Sequence, residues 1–324
     1  MKINLNQLKK SFGNSNILVI GDIMLDRYIF GKSQRYSPEA PVPIINSFKK
    51  LNVLGGASNV GLNIKSLGNN KVTCCGLIGS DRSGKDLLKL LLDNNINSDG
   101  IFIDDKHRTT TKERIYSNEQ QIIRIDKEKK SISKKSTKLI LNFISSSIKN
   151  YDVIIISDYN KGVITSELVK QLIDINNNTR SIPIIVDPKK KNLSVYSGVD
   201  LITPNLKELE NANDKIYEKN QDIIKANNDV IKKNNIKNIV TTLGKKGMIV
   251  TENNSSYHIE GIKVNTPDVI GAGDTVIATI ALCLSSGMSI LESSNLANIV
   301  ASICVSKIGT SVVTFDELKN KIKI

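Results

Sequence analysis

"NILVIGD" (residues 16–22) is the stretch that decides the fold. Four consecutive aliphatic side chains, Ile17 to Ile20, leave no alternate position for water. A strand of that kind is covered on both faces, as in parallel sheets, rather than half-exposed as in antiparallel ones. The closing Gly-Asp puts polar groups at the strand's C-terminal edge, where open α/β sheets bind ligands.

Working outward, the same rhythm repeats. "ASNVGLNIKSLG" (57–68) has helical spacing and stops at Gly68. "KVTCCGLIG" reads as a strand and "SGKDLLKLLLDNN" as a helix. "DVIIISD" precedes a helix at 165–177, "IPIIVDP" and "DLITPN" precede one at 205–212, and a polar helix at 219–234 leads to "NIVTTLG". Two apolar helices, about 274–286 and 289–306, close the pattern. Alternation of this kind predicts an α/β sheet with helices on both faces. Two segments break it. Residues 28–53 hold Pro38, Pro41 and Pro43, which exclude helix and suit an edge excursion. Residues 108–126 carry two β-rich arms around "SNEQ", a hairpin pattern. Both read as strands of a small lid over the sheet's C-terminal edge.

The composition narrows the classes. The chain has 324 residues, 40% hydrophobic and 24% charged, as soluble globular proteins do. "MKINLNQLKKSFGNSN" has no apolar core of a signal peptide, and no run approaches a membrane span, so a cytoplasmic protein is expected. Cys74, Cys75, Cys283 and Cys304 lack metal-site spacing and read as buried free thiols. The net charge of +13 comes from dispersed lysines, with clusters at 127–135 and 189–191, while aromatic residues are only 4%. That favours a solvated lysine-rich surface, then a phosphorylated small ligand, over nucleic acid.

Several motifs offer chemistry. "GSDRSGKD" (79–86) nearly spells a phosphate-binding P-loop, but Asp86 stands where a magnesium-binding hydroxyl is needed. Its glycines read as a strand-to-helix turn. "DVIGAGDTV" (268–276) is different. Gly271, Ala272 and Gly273 let backbone amides approach an anion. Asp274 is either a helix cap or a general base beside that anion, the pair a kinase requires. "GGASNVG" (55–61) places Gly55, Gly56 and Asn59 at a helix start, as a cap or as partners of sugar hydroxyls. In "TPNLKELE" (203–210), Asn205 and Glu208 share a helix face, for capping or for a magnesium–phosphate water network.

Taken together, "GGASNVG", "TPNLKELE", "TTLGKKG" and "DVIGAGDT" resemble, in order and spacing, the ribokinase-like (PfkB) carbohydrate kinases, over residues 15 to 320. "GDIMLDRYIFG", "RYSPEAPVPI", "SDYNKG", "VDPK" and "SKIGTSVV" are similar to the branch that phosphorylates D-glycero-β-D-manno-heptose 7-phosphate, with the Ser37–Pro41 element as main pointer. The resemblance implies a single ribokinase-like domain over 1–324: a three-layer α/β/α sandwich, a mostly parallel sheet and a β-strand lid. It implies ATP-dependent transfer to the anomeric C1 hydroxyl, giving the 1,7-bisphosphate for lipopolysaccharide-core synthesis. Another sugar substrate is the alternative within the fold, and a non-catalytic basic binding protein the alternative outside it.

Residue by residue, the resemblance makes Asp274 the base and Gly271, Ala272 and Gly273 the anion hole. Asn205, Leu206, Lys207 and Glu208 form the nucleotide and Mg²⁺ segment, with Glu208 holding the metal through water. Thr242, Gly244 and Gly247 border ATP, and Asn298 lies near the purine. Asp22, Asp26, Gly55, Gly56 and Asn59 face the sugar, although Asp26 has an alternative partner in Arg27. Arg124 and Lys189, with Lys161 behind, are candidates for the 7-phosphate. Ile270 replaces a common Ser or Thr, which leaves a monovalent cation (K⁺) open. Some relatives carry a nucleotidyltransferase domain with H-x-G-H; His107 and His258 lie in no such motif, so that domain is not expected. A homodimer through the lid strands is expected.

Overall fold

The computed structural model describes residues 4–68, 70–118, 120–129, 132–253, 255–265, 269–307 and 311–322. The opening stretch forms β1 (Asn16–Gly21), paired in parallel with β4 (Lys71–Ile78) on one side and β8 (Val153–Ser157) on the other. Beyond β4 lies β5 (Asn97–Ile103). Beyond β8 follow β9 (Ile184–Asp187), β10 (Leu201–Ile202) and β11 (Asn238–Thr242), all parallel. Two antiparallel strands, β12 (Met248–Glu252) and β13 (Ser255–Ile259), finish the sheet.

Strand alternation divides the core into two. Ile17 and Val19 of β1 join a cluster with α2 (Ala57–Ser66), α8 (Ala272–Ser285) and α9 (Ile290–Cys304). Leu18 and Ile20 join the opposite cluster with α4 (Lys134–Ser147), α5 (Ser166–Asn177) and α7 (Asn220–Asn234). Each such side chain, fully withdrawn from water, contributes about 1.5–3 kcal/mol. Thus the run in which every residue is apolar is the strand sandwiched by two helix layers. The four cysteines are free and buried, and burial pushes the Cys74 thiol up to about 12.

Not every helix was anticipated. α1 (Leu5–Asn14), α4 and α10 (Phe315–Ile322) lie in polar, lysine-rich sequence. α4 buries only Ser136, Ile140, Leu141 and Ile144, a narrow stripe at helical spacing within a segment that reads as charged surface.

The lid is a separate four-stranded sheet in the order β3 (Pro43–Gly56), β2 (Ile23–Tyr36), β6 (Thr110–Ser117) and β7 (Gln120–Lys127). Both long arms extend past the expected 28–53 boundaries, because β2 begins directly after Asp22 and β3 runs into α2. Tyr28, Phe30 and Tyr116 stack across β2 and β6. The chain adds β1, β4 and β5 outward on one side, then returns to place β8 on β1's other flank. The crevice between β1 and β8 is therefore the sheet's switch point, where α/β sheets hold ligands.

Candidate active site

A cavity of about 230 Å³ lies between lid and sheet, lined by Asp26, Gly55, Gly56, Asn59, Lys112, Arg114, Tyr159, Asp187, Lys189, Thr203, Asn205, Glu208, Thr242, Ile270, Gly271, Gly273 and Asp274. α8 starts at its floor. The N-cap, Gly271, has φ 79°, a left-handed conformation in which a side chain would be strained, and no side chain caps the helix. Asp274 is therefore not a cap. Its Oδ2 accepts from Asn59 Nδ2 at 2.5 Å and its Oδ1 from the Tyr159 hydroxyl at 2.5 Å. Burial raises its pKa, opposed by those two donors and by the Lys112 charge. An ionised, partly desolvated carboxylate of raised pKa suits a general base. The opening turn of any helix has amides without intrahelical acceptors. Here Ala272 turns its amide onto the Val269 carbonyl at 3.3 Å, so the three residues of the turn are not equivalent donors.

The opposite wall comes from the lid. Asp26 faces Arg114 at 3.3 Å; Arg27 pairs instead with Glu113 at 2.7 Å and Asp86 at 3.5 Å. Burial raises the Asp26 pKa, with Arg114 opposing. Asp26 Oδ1 and Asn59 Oδ1 are buried with no hydrogen-bond partner, while Arg114 Nη1 has only its 3.3 Å ion pair with Asp26 Oδ2. Unsatisfied buried polar atoms are costly, and two acceptors on one small cavity mark a surface built for a polar ligand. Lys112 is buried enough to lower its pKa, and its ammonium stands 5.2 Å from the Tyr159 ring centroid.

Asn205 and Glu208 form a complete capping box at the start of α6 (Leu206–Asn213), and both line the cavity. Lys189 bonds Glu208 at 2.9 Å. Asp187, at the end of β9, has its pKa raised well above the ordinary range, by burial first and then by the charges of Glu208 and Asp274. Among the described residues no three side chains form a metal cage. Asp187 and Glu208 nevertheless fit a magnesium ion, which takes one or two carboxylates and completes its shell with water and phosphate.

The sequence-predicted residues do not all line this cavity. Asp22 does not face the cavity: its carboxylate accepts the amides of Tyr159 at 2.9 Å, Lys161 at 3.0 Å and Val163 at 3.1 Å. It anchors the loop after β8 instead of a sugar. Arg124 is exposed on the edge strand β7 and chelates Asp126; Arg114, directly opposite it in the ladder, lines the cavity. Lys161 pairs with Glu128 and lies outside the cavity. Leu206 packs on the core and Lys207 faces solvent. Gly244 and Gly247 flank a turn beyond the lining; a Cβ on Gly247 would sit 2.0 Å from the Ile259 carbonyl, so that glycine serves hairpin packing. Asn298 bonds the Glu260 carbonyl at 2.8 Å and is not among the residues lining this cavity. The Ser37–Pro41 element is at the lid's tip, about 30–35 Å along β2 from Asp26 at ordinary strand rise, and lines none of the cavity.

The sequence reading missed Lys112, Arg114, Tyr159, Asp187 and Thr203 as lining residues. A signal for two of them was present: Lys112 and Arg114 alternate in "TKERI", so they share one face of β6.

An open helix start, a buried carboxylate beside it and a cation-bearing lid define a phosphoryl-transfer class of site. Comparison with known proteins places the chain within that class: a model of the pfkB family carbohydrate kinases matches residues 14–316, and the chain belongs to that family. It is 41% identical over 314 residues to the bifunctional protein HldE of Sulfurimonas denitrificans, covering 97% of this chain and 65% of that protein. It is 39% identical to HldE of Helicobacter pylori strain J99, covering 93% and 65%. The chain thus spans about two-thirds of the length of these curated relatives. Among solved structures, phosphofructokinase-2 of Escherichia coli in complex with potassium superposes with a TM-score of 0.77 at 19% identity, covering 96% of this chain and 98% of that one. Arabidopsis thaliana ribokinase complexed with ribose and ATP gives 0.74 at 18%, with 96% and 99% covered. The fold is ribokinase-like. No helix among the described residues is long and apolar enough to cross a membrane.

Proposed function

We propose that the chain transfers the γ-phosphoryl group of ATP to the anomeric C1 hydroxyl of D-glycero-β-D-manno-heptose 7-phosphate. The observation that carries the reading is the placement of Asp274, buried at an uncapped helix start and facing a cavity with unsatisfied polar atoms. Asp274 takes the hydroxyl's proton as the oxygen attacks phosphorus. Amides of the Gly271–Gly273 turn receive negative charge on the transferring group. Asp26 and Asn59 accept from sugar hydroxyls through their free oxygens. Arg114 and Lys112 replace Arg124 and Lys161 as the cations for the substrate's phosphate, because they line the cavity. Asn205, Thr242 and Lys189 border the nucleotide side. Glu208, with Asp187, would hold magnesium, which neutralises triphosphate charge when bound.

The sugar itself rests on the resemblance of "RYSPEAPVPI" and "SDYNKG" to heptose kinases and on the likeness to HldE. The test is ADP release from Mg-ATP with a panel of sugar phosphates. Heptose 7-phosphate is expected to give the highest kcat/KM; preference for fructose 6-phosphate or a free pentose would replace it with the other-sugar reading. A second copy is proposed to dock on the lid, where Tyr36, Val42, Phe48 and Ile123 are exposed. Light scattering showing a monomer at micromolar concentration would remove that proposal.

A further inference from the structure

The Tyr159 hydroxyl is aimed at the base, and nothing in the motif pattern assigns it a task. Its residue joins three parts of the molecule. The Tyr159 amide is held by Asp22 Oδ2 at 2.9 Å, at the end of β1. Its hydroxyl donates to Asp274 Oδ1 at 2.5 Å. Its ring faces the Lys112 ammonium of the lid at 5.2 Å. Asn59 meanwhile donates to the other carboxylate oxygen. Two donors from opposite sides fix the plane of the Asp274 carboxylate, and each leaves its oxygen a further lone pair for an incoming hydroxyl.

We propose that Tyr159 is a positioning residue for phosphoryl transfer: its hydroxyl fixes the orientation of Asp274 and keeps that carboxylate ionised. Asp22 serves the same end at one remove, because its three amide bonds set the loop on which Tyr159 stands. The inference rests on the proposed role of Asp274 as base. A donor to a carboxylate favours the charged form, so removing the hydroxyl raises the carboxyl's pKa. The groups facing Asp274 are Tyr159, Asn59, Lys112 of the lid and the carboxyl groups of Asp26 and, from the end of β9, Asp187. Tyr159→Phe deletes the donor alone and keeps the ring under Lys112. Burial also holds the phenol's own pKa well above its ordinary value, so it stays a donor across the working range.

The test reads the carboxyl directly. In the full chain labelled with ¹³C at aspartate side chains, the Asp274 resonance is assigned by its loss in Asp274→Asn and titrated in native protein and in Tyr159→Phe. The midpoint is expected to rise by about one pH unit in the variant, the scale of a charge-assisted hydrogen bond. The acidic limb of kcat/KM is expected to move up with it, with the KM for ATP unchanged. A second reading needs no Tyr159 substitution: in the full chain labelled instead with ¹³C at the tyrosine ring, the Tyr159 phenol is expected to titrate at lower pH in Asp274→Asn than in the native chain. An unmoved Asp274 midpoint, or a phenol that titrates identically with and without Asp274, overturns the proposal. Neither resonance requires a substrate, so a wrong sugar and a wrong role for Tyr159 give different results.

Discussion

Two helix starts in this chain have the same local recipe and opposite fates. Both follow a glycine-bearing turn beneath the lid. At α3 (Arg82–Asp93), Asp81 caps the helix by accepting from Gly84 at 2.9 Å, its other oxygen takes the Thr109 amide at 3.0 Å, and Gly79's amide goes to Thr109 Oγ1 at 2.9 Å. At α8 the N-cap is a glycine, and the nearest carboxylate turns away to Asn59 and Tyr159. The first start is satisfied from within and is closed to ligands. The second is left open, with its charge held aside. An uncapped helix start leaves amides that an anion can reach, and a capped one does not.

The sharpest way to break this comparison is at the open start. Asp274→Asn should lower kcat on the order of 10²-fold or more, the usual scale for a positioned base. The folded state should persist, because the amide replaces a carboxylate whose charge burial opposes. Retained turnover would reduce α8 to a second closed start. Next in size is the lid cation. Arg114→Ala should raise the KM for the sugar phosphate about tenfold or more by loss of a charged contact, whereas Arg124→Ala should change it less than twofold. Equal effects would undo the assignment of the phosphate to the inner strand.

The smallest effect belongs to the closed start. Asp81→Ala should destabilise the protein by about 1 kcal/mol and leave kcat unchanged. Burial alone would raise the Asp81 pKa, but bonds from Gly84 and Thr109 outweigh it and the pKa is lowered. A lowered carboxylate contributes stability that is present above its unfolded pKa and lost as pH falls through the folded one. The difference between native and variant unfolding should therefore shrink on acidification below the ordinary carboxylate range. Denaturant titration at neutral and acidic pH measures it.

What the sequence conveyed and what it withheld divide along physical lines. "NILVIGD" was legible because continuous burial leaves a continuous apolar signature, and the start of α8 because a Gly-Ala-Gly turn opens directly into an apolar run. Asp22 was misread because a carboxylate satisfied by three remote amides looks, in sequence, the same as one waiting for a sugar. Arg124 and Arg114 could not be ranked from the hairpin pattern alone. They are cross-strand partners, and only the order of strands in the lid shows which is inner. Tyr159 follows β8 and Asp187 ends β9, and their convergence on Asp274 depends on sheet order. Asp268 lies outside the described residues.

The central claim is spatial, and a crystal of the full chain grown with the sugar phosphate and a non-hydrolysable ATP analogue tests it directly. The acceptor hydroxyl is expected about 2.6–3.2 Å from an Asp274 carboxylate oxygen, with the terminal phosphate against the Gly271–Gly273 turn. A hydroxyl held out of reach of Asp274, with the phosphate away from α8, would contradict the account.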